Sequence, residues 1–579
     1  MAFRVALVTP FSWSQPHDVN EHVAGLADEL RARGHTVVVL GPSNRARDLA
    51  AGRRILASNS LLQAEFLAVG PALGMSRRGR MGVPVGVRAN LAVALAGGRF
   101  DVVHGFEPAL PSLSYLALRH ADALAVATFL SPERLAYPPG RAQRERLLGR
   151  IDALLATSDE TAEAASERFP GRYEVVPVGV DLAAHAPGRK RKVVVVEWRQ
   201  TERPQLRALA RELAGQPGWE LVLLRTLPLS GRPPLPRALR GRVRVRIGFD
   251  GTSRAEAFRD ASVFVPAIGG VARAALEAQA AGVAIADPRG RASQPELAVA
   301  EAARLLEDDA FRGRRAAEAH AAAASQSFAV LADRVEAVYA AVTRRRRSTA
   351  PKQEPLEGRE WIVADLHMHT NWSHDCSTDV GDLLDHAEAE GLGAIAVTDH
   401  NVLGGALEAA ERARGRRLVV IPGEEIKTDG QGEVIGLFLK DEIPRGLTFG
   451  ATVEAIRAQG GLVYVPHPFD RMHSIPDAAT LHRHLAEIDV FEAYNARLLF
   501  EAYNEEALRF ARKYNLTVAA GSDAHVLPGV GTGAVRMRRF SGPEEFLVSL
   551  RSAEILRRPR SLAYLQGLKW VAQAKERVR

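Results

Sequence analysis

The sequence predicts an α/β protein: two doubly wound, Rossmann-like lobes in tandem, followed by a closed or nearly closed α/β barrel. Three observations carry this. Short apolar runs alternate with amphipathic helical stretches along nearly the whole chain. One polar stretch without periodicity, residues 344–360, interrupts the alternation; it holds the run Arg344 to Arg347 and two prolines. Beyond it, seven candidate strands fall in one unit, more than an open lobe requires.

The first lobe spans residues 1–185. Its apolar run 5–9 ends in Pro10, and residues 19–33 read as an amphipathic helix stopped by Gly34. The next strand, 36–40, stops at Gly41-Pro42, and 101–104, 125–128, 154–157 and 175–176 read as further buried strands. The second lobe, 186–343, offers strands at 192–197, 220–225, 243–247, 263–265 and 283–286, and ends in an alanine-rich helix. The barrel, 361–556, offers strands at 362–366, 394–398, 418–421, 434–437, 462–465, 490–493 and 518–520. Residues 557–579 read as a basic helix with Leu565, Leu568 and Val571 on one face. It is expected to pack on the barrel, with contact to an anionic membrane surface as the other reading.

The 579 residues are 46% hydrophobic and 25% charged, ordinary for soluble domains and enough for several cores. The single cysteine, Cys376, excludes an intramolecular disulfide. Net charge is +8. That balance permits contact with phosphorylated ligands, anionic lipid or nucleic acid, but no nucleic-acid site is legible. No apolar run approaches the roughly 20 residues a membrane helix needs, and no leader-like start is visible. The expected location is cytoplasmic, at most peripheral to a membrane.

The chemistry concentrates at strand ends. His367 and His369 close the first barrel strand, and residues two apart on a strand point to the same side. Asp399-His400, Glu424-Glu425, His467 and Asp523 with His525 close four others. In α/β barrels the C-terminal rim of the strands is where catalytic groups gather. Imidazoles and carboxylates in this number are ligands for divalent cations, and a cation pair activates water for attack on phosphate esters. Asp399 reads as an orienter of a ligating histidine, and Arg497 as a clamp on phosphate.

The segments DLHMHT, TDHN, PGEE, VPHP and GSDAH resemble the PHP (polymerase and histidinol phosphatase) family. The resemblance implies a distorted (β/α)7 barrel with two or three ions, commonly manganese, zinc or iron. It places His367, His369 and Asp523 on a first ion. It places Glu425 between that ion and a second held by His467, and Asp375, His400 and His525 on a third. His374 is the alternative to Asp375, and Glu424 the alternative to Glu425. Glu492 or His473 is the candidate for the missing ligand of the second ion. The substrate expected is a phosphorylated small molecule.

The first two lobes resemble family 4 glycosyltransferases of GT-B fold, and among them the phosphatidylinositol mannosyltransferases. The matching stretches include HVAGLADELRARGHTVVVLGP, FDVVHGFEPALPS, VVPVGVD and LEAQAAG. The family's functional positions carry over poorly. His17-Asp18 stand where it has a glycine pair, Leu130 where it has a histidine and Val178 where it has an asparagine. Arg199 and Arg203 are not accompanied by a lysine. Glu277 matches the second of two donor-site glutamates, while 269–271 offers no acid for the first. Arg199 and Glu277 are thus the remaining candidates for a nucleotide sugar. The expectation is a metal-dependent phosphoesterase carrying an inactive module that binds a nucleotide sugar or lipid headgroup. The alternative is a bifunctional protein whose transferase still works.

Overall fold

Val5, Ala6, Leu7 and Val8 are fully buried in strand Arg4–Val8, near the middle of an eight-stranded sheet. The computed structural model describes all residues except 1, 59, 77–78, 83–86, 200–202, 228–230, 232, 235, 268–271, 287–294, 348–355, 559, 562, 565 and 570–579. It divides into two compact units, Met1–Val342 and Thr343–Arg579. Of the expected features, the acid-free stretch 269–271 and two tail positions, Leu565 and Val571, lie outside the described residues.

In the first unit the large sheet runs in the order Gly79–Gly82, Phe66–Ser76, Thr36–Ser43, Arg4–Val8, Val102–Phe106, Leu124–Phe129, Ala153–Ala156 and Tyr173–Val175. All neighbours are parallel except the first pair. Strand Phe66–Ser76 was not legible, because Gly70, Pro71 and Gly74 dilute its apolar signal. A second, five-stranded parallel sheet runs Val243–Ile247, Glu220–Arg225, Val193–Glu197, Val263–Val265, Ala284–Ile285. Parallel strands covered on both faces explain the continuous valine and leucine runs in both sheets.

The second unit holds one nine-stranded sheet. Its order is Val518–Gly521, Val490–Asn495, Leu462–Val465, Glu433–Leu437, Val419–Lys427, Ala394–His400, Trp361–Met368, Gly533–Arg538, Glu554–Arg557. It nearly closes on itself. Met368 bridges Ala524 in parallel, the Asp523 N–H donates to the His367 carbonyl at 2.8 Å, and the His369 N–H donates to the Ala524 carbonyl at 3.0 Å. Six of the seven expected strands are mutually parallel in direction; Glu433–Leu437 runs antiparallel to both neighbours. This reversal distorts the barrel. It also brings the beginning of that strand to the rim where the others end. Inside, Leu366, Ala396, Ile421, Leu437, Tyr464 and Val535 belong to one buried cluster that fixes the strands beneath the rim. Among the described residues no helix is long and apolar enough to cross a membrane.

Candidate metal centre and the interlobe charge cluster

The strand ends converge. His367 Nε2 lies 3.4 Å from Glu425 Oε2, and His369 Nε2 lies 3.5 Å from the same oxygen and 3.4 Å from Asp523 Oδ1. His400 Nδ1 approaches Glu425 Oε2 at 3.1 Å, and His467 Nε2 approaches Glu425 Oε1 at 3.0 Å. His525 Nε2 lies 2.8 Å from Asp375 Oδ2. The structure therefore brings together all eight residues expected to ligate ions.

Local sequence explains the placement. His400 and Glu425 sit side by side at the paired ends of strands Ala394–His400 and Val419–Lys427. Because neighbouring residues on a strand face opposite ways, Glu424 is turned away and accepts from the Ile443 N–H. His374 is exposed, which leaves Asp375 facing the centre. His467 and Asp523 have left-handed backbones, φ 25° and 52°, a conformation costly for non-glycine residues and concentrated at functional sites.

Glu492 is in none of the sets of donor atoms close enough to share an ion. It accepts from His367 Nδ1 at 3.0 Å, Tyr464 Oη at 2.8 Å, the His467 N–H at 2.6 Å and Asn495 Nδ2 at 3.0 Å. It therefore orients His367 and fixes which ring nitrogen faces the centre. His473 bonds Asp470 at 2.6 Å. The carboxylate that does join His467 and Glu425 is Glu433, with Oε2 3.9 Å from His467 Nε2. Sequence reasoning missed it by looking only at C-terminal strand ends. An acid opening an apolar strand was the available signal, but reading it required knowing that the strand is reversed. Asp399 accepts from Thr370 N and Oγ1 and from Ser373 Oγ, at 2.7, 2.6 and 2.9 Å, and reaches His369 only through the Ser373 hydroxyl. Arg497 Nη1 lies 3.1 Å from Asp523 Oδ1 and 3.0 Å from His525 Nδ1.

Four sets of donor atoms lie close enough to share an ion: His367, His369 and Glu425; His367, His467 and Asp523; Glu425, Glu433 and His467; and His369, His400 and His525. His367 Nε2, His369 Nε2 and Glu433 Oε2 are buried without a hydrogen-bond partner. Orphaned buried acceptors of this kind are costly unless a ligand satisfies them. The residues fit divalent cations. Burial works against charge on every group, yet His400 and His467 are pushed up to about 9 because Glu425 outweighs it. Burial is likewise overcome at Glu425 by His400 and His367, and at Asp523 by Arg497 and His367, so both carboxyls are held well below the usual range.

In the first unit, Glu277 on helix Ala272–Ala280 is fully buried. Arg254 binds it through Nε and Nη2 at 2.5 and 2.8 Å and Arg273 through Nε at 3.2 Å. Arg254 also reaches Glu21 of the first lobe at 2.5 Å. Arg199 is half-buried and pairs loosely with Glu197 at 3.5 Å. Asp18 is paired with Arg134 at 3.3 Å, and Arg134 with the buried Glu107 at 3.0 Å.

Residues 19–184 match the Glycosyltransferase Family 4 profile, residues 365–517 the PHP domain and residues 501–555 the PHP-associated segment. A phosphatidyl-myo-inositol mannosyltransferase of Mycolicibacterium smegmatis is 30% identical over 335 residues, covering 54% of this chain and 83% of that one. The chain belongs to glycosyltransferase family 4 and carries a PHP domain. An uncharacterized Methanocaldococcus jannaschii protein is 34% identical over 209 residues, 34% of this chain and 83% of its own. A phosphatidyl-myo-inositol mannosyltransferase of Propionibacterium freudenreichii is 34% identical over 231 residues, 39% of this chain; the chain spans 58% of that relative's length. The PHP unit thus carries the ionisable rim, and the GT-B unit the charge cluster around Glu277.

Proposed function

We propose that the PHP unit hydrolyses a phosphate ester with the help of bound divalent cations. The single observation behind this is the convergence of His367 Nε2 and His369 Nε2, both buried and without hydrogen-bond partners, on Glu425 Oε2 at 3.4 and 3.5 Å. When bound, such cations supply hydroxide at neutral pH and withdraw charge from the phosphate. His367, His369, Asp523 and Glu425 would hold one ion, and Glu425, Glu433 and His467 a second. Glu492 holds the His367 ring, and Asp399 holds the Ser373 hydroxyl against His369. Arg497, at the edge of this set, offers a guanidinium to the phosphoryl oxygens, where charge builds in the transition state. The mixed nitrogen and oxygen donors suit manganese, zinc or iron.

The test is hydrolysis of p-nitrophenyl phosphate and of bis(p-nitrophenyl) phosphate by the full chain, with manganese and with chelator. Turnover should require metal and fall by at least about 100-fold in His367→Ala. Full turnover in that variant, or indifference to chelator, refutes the assignment.

The GT-B unit is proposed to bind without transferring. Arg254 and Arg273 already occupy Glu277, the carboxylate that matches the family's donor site, and the arrangement leaves Glu277 no exposure. The second reading is a working transferase, favoured by the match to enzymes named phosphatidyl-myo-inositol mannosyltransferase. Calorimetry with nucleotide sugars, followed by an assay for transfer of mannose to phosphatidylinositol, decides between them. Transfer by wild type removes the binding-only reading.

A further inference from the structure

Outside the rim itself, the C-terminal segment contributes a charge to the centre. The segment leaves strand Glu554–Arg557 with the Arg558 N–H on the Thr532 carbonyl at 2.8 Å, and Arg560 comes within 3.9 Å of Glu390. Further along, Lys569 Nζ reaches Asp375 Oδ2 at 2.8 Å. The Lys569 side chain is only 12% exposed there. The same oxygen is contacted by His525 Nε2, also at 2.8 Å. His400 Nε2 stands 3.8 Å from the other oxygen, Asp375 Oδ1. An ammonium therefore shares with His525 a carboxylate oxygen of Asp375, one of the groups that would make the third ion position.

We propose that Lys569 takes the place of the third cation, so that the centre works with two ions and one tail-borne ammonium. This deepens the metal-dependent reading above and rests on it. A divalent ion bound by Asp375 and His525 would share a carboxylate oxygen with a half-buried ammonium, and like charges at that separation repel strongly where water is scarce. An ammonium also needs no imidazole to be a ligand. It offers three donors, one for Asp375 and the others for an oxyanion approaching the centre. A lysine so placed would supply positive charge to the phosphate side without demanding metal.

The experiment counts ions rather than turnover. The full chain is equilibrated with excess manganese, freed of loose metal and analysed by inductively coupled plasma mass spectrometry. Wild type should retain two ions, Lys569→Met three, and Lys569→Met with Asp375→Asn two again. Lys569→Arg, which keeps the charge, should stay at two. Three ions in wild type, or two in Lys569→Met, overturns the proposal. No retained ion in wild type overturns the metal centre itself, a different result from either. Circular dichroism of each variant checks folding, and the charge-keeping Lys569→Arg separates loss of charge from loss of tail packing.

Discussion

Glu492 Oε1 lies 3.0 Å from His367 Nδ1 and leaves Nε2 as the nitrogen that faces Glu425 and Asp523. Replacing Glu492 by Gln should keep the fold and weaken manganese binding by about 10–100-fold, the usual effect of losing a partner that orients a ligand. Competition with a chromophoric chelator measures it. Unchanged affinity would mean that the ring is held by packing alone.

Gly521 ends its strand beneath the same histidine. A Cβ there would come within 2.3 Å of His367 Cβ and 2.8 Å of Glu492 Oε1. Gly521→Ala is expected to cost about 1–3 kcal/mol of stability by overpacking, and to lower metal affinity with it. Urea unfolding of the apoprotein, beside chelator competition, shows whether both change together.

Glu433→Gln should remove one ion while leaving the set around His367, His369 and Asp523 in place. Metal analysis should fall by one ion per chain, and activity by at least about 100-fold if paired ions do the chemistry. Retention of full stoichiometry would remove Glu433 from the ion-holding set.

The GT-B unit should be sensitive to acid. Burial, helped by Arg273 for His22 and by His22 for His104, lowers both histidines to about 3 from an ordinary 6.5. Above pH 6.5 folded and unfolded chains both keep them neutral. Between 6.5 and 3 only the unfolded chain takes up the protons, so stability falls on acidification by about 1.4 kcal/mol per pH unit for each histidine. Burial raises the Glu107 carboxyl to about 8, and it opposes one histidine across that range, so urea midpoints taken from pH 7 to pH 4.5 should show about one histidine's slope, and His104→Gln should remove most of it. An equally steep slope in that variant would assign the acid sensitivity elsewhere.

Arg254 is 2% exposed and holds Glu277 and Glu21 together. Arg254→Met should cost about 3–5 kcal/mol, because Glu277 is left buried with weaker compensation. Adding Glu277→Leu should recover part of the loss, which thermal unfolding of the single and double variants would reveal. A double variant no better than the single one would show that packing, not charge, set the cost.

The clustering of ionisable strand ends was legible because their chemistry is unusual and the rule that parallel strands end at one rim is general. His367, His369, His400, Glu425, His467, Asp523 and His525 follow from it, and Glu424 was separable from Glu425 only once the register paired His400 with Glu425. Glu433 was hidden because strand direction is a tertiary property that apolar periodicity does not encode. Strand Gly533–Arg538 was hidden for a related reason: Arg536 and Arg538 stack over Trp361 at 4.8 and 4.2 Å, so its charged face looked like loop. The occupation of Glu277 by Arg254 and Arg273 brings helix Gly251–Phe258 against helix Ala272–Ala280, and no local pattern announces such a pairing.

The turn ahead of Glu433 acts as a ruler. Thr428 closes it onto the Gly432 carbonyl at 3.0 Å through its N–H and at 2.5 Å through its hydroxyl, while Gly430 and Gly432 take φ of 69° and 91°. Since side chains alternate along a strand, adding or removing one residue between Thr428 and Gly432 would swing the Glu433 carboxylate to the far face of the sheet. The count of residues in that short connection is therefore as binding on the chemistry as the identity of the acid that follows it.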